Sequence, residues 1–211
     1  MDTDKNRHSK IIRSLCKEIL IPMGVFQKGN SRIYFDDNGY YLTMLEFQPS
    51  SWDRGSYLNV GVYFLWNTYD YFSFDAYTGI SDRVGRFVPY KSDEQFEKEM
   101  RNMVMMAKEQ VLYYRGADHV KKAVEERDSK AHRFLYLAYH GQIEAARSEY
   151  SLLMKHPNFA RISENWALPK TADGLTQEFV LERIKSRRKS LHDTPGTRRL
   201  PWNEWFDDDV G

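Results

Sequence analysis

The chain has 211 residues, 41% hydrophobic and 15% aromatic, enough for a packed core in one large or two small domains. Its 31 Lys and Arg balance 30 Asp and Glu, and a net charge of +1 exerts no global pull toward nucleic acid or membrane. No apolar run nears the roughly 18 residues of a membrane span, residues 1–10 lack the apolar core of a secretory signal, and a single cysteine, Cys16, excludes an internal disulfide and a cysteine-based zinc site.

In chain order, residues 9–23 carry Ile12, Leu15, Cys16, Ile19 and Met23 at helical spacing, with Pro22 and Gly24 marking the end. Cys16 falls on that apolar stripe and reads as a buried, inert thiol. The run Gly24 to Ser31 approaches a phosphate-binding loop, but Asn30 stands where the lysine is needed. A helix also precedes it, whereas a phosphate loop feeds into one. A short strand is predicted over 32–36, followed by a hairpin turn at Asp37, Asn38 and Gly39.

Residues 39–77 hold three consecutive strand-like runs and organise the chain. Alternate side chains of a strand face opposite ways. In the middle run Leu58, Val60, Val62, Phe64 and Trp66 share one face, and Tyr57, Asn59, Gly61, Tyr63 and Leu65 share the other. In the third run Phe72, Phe74 and Ala76 alternate with Tyr71, Ser73, Asp75 and Tyr77. Short, turn-rich connections imply antiparallel neighbours. The expectation is a meander with one apolar face needing a helical cover. Its Tyr-rich face is expected to meet solvent or a partner.

Residues 82–90 offer a further strand. Ser92 to Gln95 is a capping-box pattern opening a long helix, roughly 93–115, with Phe96, Met100, Met103, Val104, Ala107, Val111 and Tyr114 as its stripe. Shorter helices are predicted at 118–127, 130–140 and 143–156. Gly141, Ile143, Ala146 and Tyr150 resemble the turn and packing positions of a tetratricopeptide-like helical hairpin. A single copy implies ordinary hairpin packing, since repeat folds need about three units. Residues 157–172 read as a loop, 174–191 as a final helix, and 193–211 as an aromatic and acidic tail.

Residues 10–77 resemble a bacterial family known as a domain of unknown function, numbered forty-three zero four. The order of features carries the likeness: a leading helix, then Gly24, Phe26, Lys28 and Gly29. An aromatic strand at Tyr34 and Phe35 follows. The next strand ends at Gln48 with Ser50 or Ser51 just after it, and the one beyond holds Asn59, Val60 and Gly61. The resemblance implies an α+β fold and no established activity.

The most notable polar cluster is Gln48, Ser50, Ser51, Trp52, Asp53 and Arg54, which follows a central strand. A serine nucleophile would need a positioned base and a strained elbow, and neither is legible. The structural alternative is a turn whose serines bond backbone groups. The six histidines lack the i, i+4 spacing of a helical metal site. Arg183, Lys185, Arg187, Arg188, Lys189, Arg198 and Arg199 form a basic run suited either to phosphates or to a solvated helix face.

The sequence therefore predicts an α+β fold: an antiparallel sheet of four or five strands packed against helices, followed by a helical C-terminal portion. Boundaries are expected at 1–116, 117–192 and a 193–211 tail. The expected function is non-enzymatic protein binding, in the cytoplasm, without metal or other cofactor. Its predicted surface comprises Gln48, Ser50, Ser51, Trp52, Arg54, Tyr57, Asn59, Tyr63, Tyr71 and Tyr77. The alternatives are a small-ligand or enzyme pocket near residues 48–54, and, less favoured, nucleic-acid contact through 183–199. Partner identity and oligomeric state are not legible.

Overall fold

The computed structural model describes residues 7–79, 81–127, 130–194 and 197. Five strands form one sheet in the order β1-β2-β3-β4-β5, every pair antiparallel: β1 (Phe26–Gln27), β2 (Ile33–Asp37), β3 (Tyr41–Pro49), β4 (Gly55–Phe64) and β5 (Arg83–Pro89). The helices are α1 (Arg7–Ile19), α2 (Asp93–Tyr114), α3 (Ala117–Glu126), α4 (Lys130–Tyr139), α5 (Ile143–Met154), α6 (Phe159–Asn165) and α7 (Gln177–Asp193). The α+β architecture with its helical C-terminal part is as expected.

The apolar face of the sheet lies beneath α1 and α2. Register places Phe47 beside Leu58, Leu45 beside Val60 and Tyr41 beside Phe64 on that face. The α2 stripe, Phe96 through Tyr114, is buried at the expected positions. Each such aliphatic or aromatic side chain contributes about 1.5–3 kcal/mol on burial. Ser92 caps the helix by accepting from the Gln95 amide at 3.2 Å. Polar ties fix the register between layers: Tyr41 donates to the Tyr114 carbonyl, and Arg115 forks onto Asp36 at 3.0 and 2.6 Å.

The opposite face corrects the sequence reading. It is not a solvated tyrosine surface, for Tyr63 is fully buried and Asn59 is 4% exposed. Its cover is the segment 66–77, which is not a third long strand. Only one isolated bridge forms, Val62 with Ala76, on the edge of β4 beyond the part paired with β5. The segment then curls over the sheet as a strap. The physical reason is Asp75, whose buried carboxylate accepts from the Phe64 amide (2.8 Å), Asn67 Nδ2 (2.5 Å), Tyr69 Oη (2.9 Å) and Ser73 Oγ (2.6 Å). A carboxylate buried among that many donors bends the chain out of strand geometry.

Curling seats Phe72 on Phe35 and Tyr63, with ring centroids 4.7 and 5.0 Å apart. Lys28 stands 4.5 Å above the Phe72 ring. Gly61 makes room for the strap, because a Cβ there would lie 2.9 Å from both the Phe74 ring and the Ala76 carbonyl oxygen.

Two further differences are local, and one expectation of local packing holds. Residues 157–172, expected as a loop, contain the short α6. The last helix begins at Gln177, where Thr176 accepts from the Phe179 amide at 3.0 Å. The tetratricopeptide-like stretch is a plain helical hairpin, with Gly141 at φ +74° in its turn and Ala146 and Tyr150 buried. Of the expected tail beyond Thr194, only Thr197 lies within the described residues.

If the strap is seated as described, Gly61→Ala lowers stability by about 1–3 kcal/mol through overpacking. Urea denaturation measures this, and an unchanged midpoint contradicts the close approach.

Candidate functional site

The ten residues of the predicted surface fall into three groups. Tyr63 is in the core, where burial pushes its phenol up to about 12 and Arg187 Nε donates to its oxygen at 2.9 Å. Tyr71 and Tyr77 ride on the strap. Tyr71 is 65% exposed and stacks on Tyr69 at 4.5 Å, while Tyr77 lies under the Arg127 guanidinium, 4.1 Å from its ring centroid. The remaining seven gather where the β3–β4 hairpin ends, because the register pairs Gln48 with Tyr57 and Glu46 with Asn59.

There the strap no longer covers the sheet. Asn59 Nδ2 donates to Gln48 Oε1 at 2.9 Å and to Glu46 Oε2 at 3.2 Å. Its Oδ1 is buried without a hydrogen-bond partner. Such a group costs about 1–3 kcal/mol if nothing donates to it. Arg83 of β5 stands 3.9 Å over the half-buried Tyr57 ring and donates to Gln48 Oε1 at 3.2 Å. Phe87 packs against Tyr57 at 4.8 Å.

The hairpin turn is built by its own polar groups. Ser50 Oγ accepts from the amides of Trp52 (3.1 Å) and Asp53 (3.3 Å), and Asp53 Oδ1 accepts from the Arg54 amide at 2.8 Å. Ser50 is thus occupied as a turn former. Gly55 closes the turn against β5, since a Cβ there would strike the Val88 carbonyl and the Phe87 ring. Ser51 and Arg54 are exposed, and Trp52 projects with 96% of its surface open.

Arg83 and Phe87 were not among the sequence candidates. Their signal is the alternation Arg83, Gly85, Phe87, but facing Tyr57 depends on an irregularity in the β4–β5 register between Ser56 and Leu58. Such bulges re-aim side chains and have no fixed composition.

The expected basic run is largely turned inward. Arg188, 7% exposed, forks onto Asp37 (3.0 Å to Oδ2) and also donates to the Gly39 carbonyl at 2.6 Å. Arg187 is equally buried, and Arg183 donates to the carbonyls of Trp66 (2.8 Å) and Trp166 (2.7 Å). Lys185 pairs with Glu182 at 3.0 Å. Arg198 and Arg199 lie outside the described residues. A helix that uses its arginines as internal ties offers little surface to a nucleic-acid backbone.

Three cavities among the described residues, beside α7, beside β2 and between α3 and α5, measure about 220, 270 and 420 Å³, and none of these three is lined by a residue of 48–54. Among the described residues no group of three or more His, Cys, Asp or Glu is placed to hold a metal ion. None of the described helices is long and apolar enough to cross a membrane.

One buried histidine belongs to the strap anchor. His132 Nδ1 accepts from Trp66 Nε1 at 3.2 Å, and its Nε2 lies 3.8 Å from Asp75 Oδ1. Burial lowers its pKa from 6.5, with the Asp75 carboxylate opposing. Sealed from solvent, this trio is a scaffold and is not placed for catalysis.

Comparison with protein-family models, with curated proteins and with solved structures gave no match.

For His132, the unfolded chain binds a proton more readily than the fold. Its contribution to stability is therefore complete above 6.5 and is lost as pH falls toward the depressed folded value. His8 and His140 are lowered in the same direction. His132→Gln should accordingly show a smaller drop in thermal midpoint between pH 7 and about pH 5 than the parent; parallel curves contradict the assignment.

Proposed function

We propose that the chain is a non-enzymatic protein-binding module whose contact surface is the β3–β4 hairpin tip and the uncovered end of the sheet beside it. Trp52 and Arg54 supply the tip, and Gln48, Tyr57, Arg83 and Phe87 supply the platform. The observation that carries the reading is the 96% exposure of Trp52 on a turn held rigid by Ser50, Asp53 and Gly55. An exposed tryptophan on a preorganised turn gains a large apolar area on docking at little entropic cost. Tryptophan, tyrosine and arginine are also the residues that dominate interface energies.

This keeps part of the sequence-derived surface and discards the rest. Tyr63 cannot reach a partner, and Tyr71 and Tyr77 belong to the strap. The likeness of residues 10–77 to domain-of-unknown-function family forty-three zero four stands beside this proposal as a second one, and it supplies no activity. The cytoplasm is the proposed compartment.

Trp52→Ala and Arg83→Ala test the reading. Each should leave the thermal midpoint of the isolated protein within about 2 °C, yet weaken capture of a stoichiometric partner from the native host by roughly 30-fold, the size of a hot-spot loss. Capture that is indifferent to both changes contradicts it.

A further inference from the structure

The α7 residues Arg183, Ser186, Arg187 and Ser190 have the i, i+3, i+4, i+7 spacing of one helix face. Together with Asn67, Thr68 and Asp70 they line the cavity of about 220 Å³. Among the described residues, the hydrogen-bond partners of both guanidiniums are neutral. Arg183 is held by the Trp66 and Trp166 carbonyls, and Arg187 by the Tyr63 phenol at 2.9 Å. In each, Nη2 is buried without a hydrogen-bond partner. The nearest carboxylate is that of Asp70, 3.8 Å from Arg187 Nη1 and fully solvent-exposed, where water screens it. Lys28 adds a third positive charge, which burial first and the nearby Arg187 second make harder to hold. Burial also lowers Arg183 to about 10, as befits a cation with no carboxylate beside it.

We propose that this cavity binds the phosphate group of a small molecule, with Arg183 and Arg187 as its charged donors and the Ser186 and Ser190 hydroxyls at its rim. Two guanidiniums on successive turns offer donors from different directions, which suits a tetrahedral dianion better than a planar carboxylate. The volume matches a phosphate with a few carbons and is below the roughly 300 Å³ at which sites for larger ligands start. A bound dianion would offset the uncompensated charge beneath the strap. The site is separate from the hairpin tip and does not depend on it.

The test is isothermal titration with sodium phosphate, glycerol phosphate and sodium acetate at matched ionic strength. Because Arg187 also supports Tyr63, the variants are Ser186→Asp and Ser190→Asp, which place a like charge on exposed positions without disturbing the core. The parent should bind phosphate or glycerol phosphate saturably, with acetate at least about tenfold weaker, and each variant should weaken binding about tenfold or more at an unchanged thermal midpoint. Tighter binding of phosphate identifies the free ion as the ligand type, and tighter binding of glycerol phosphate identifies a monoester. No saturable binding up to about 10 mM, acetate as tight as phosphate, or variants that bind like the parent would each overturn the proposal.

Discussion

A carboxylate removed from water is tolerated only where donors surround it. Asp75 meets that condition with a strand amide, a side-chain amide and two hydroxyls, and charge-assisted bonds of this kind contribute about 1.5–3 kcal/mol each. The arrangement forces residues 66–77 to leave the plane of the sheet. Because they leave it, Phe72 and Phe74 can cover the second face, β5 takes its place along β4, and the free end of the face is left between Gln48 and Phe87. The position of the proposed contact surface therefore follows from where one aspartate is buried.

Helix α7 completes the cover by a different chemistry. Its three arginines reach inward to a phenol, backbone carbonyls and Asp37. Arginine suits this use because its planar fork satisfies several acceptors and its long stem fills space beside aromatic rings. Arg188 forks onto a buried carboxylate, whereas Arg187 has the exposed Asp70 at 3.8 Å and Arg183 has no ion-pair partner among the described residues. The same helix thus closes the fold and leaves two guanidiniums, Arg187 buried and Arg183 partly buried, lining a small cavity.

Much of this architecture is legible from residue order. The alternation of Leu58, Val60, Val62 and Phe64 marks the face that α2 covers, and the Phe96 to Tyr114 stripe marks the covering side of that helix. The second face is harder to read, because tyrosine looks the same in sequence whether its ring is buried with a bonded hydroxyl or open to a partner. Gly61 held a clue, since a glycine inside a strand often signals another chain segment passing close by. Asp75 held another, as one of two acids, with Asp70, amid aromatic residues. Neither states which segment passes, and a helix more than 100 residues away supplies the partner of Tyr63. The hairpin cluster around Gln48 was recognisable from its turn formers. Its neighbours on β5 depend on a register irregularity and are not.

The central claim is that the strap is part of the cooperative core and not a loop laid over it. Native-state hydrogen exchange of the Val62, Phe64, Asp75 and Ala76 amides measures this directly. The account predicts protection close to that of the β3–β4 ladder, lost together with it as denaturant is added. Exchange of Asp75 and Ala76 at rates typical of exposed turns, while the ladder stays protected, would contradict it.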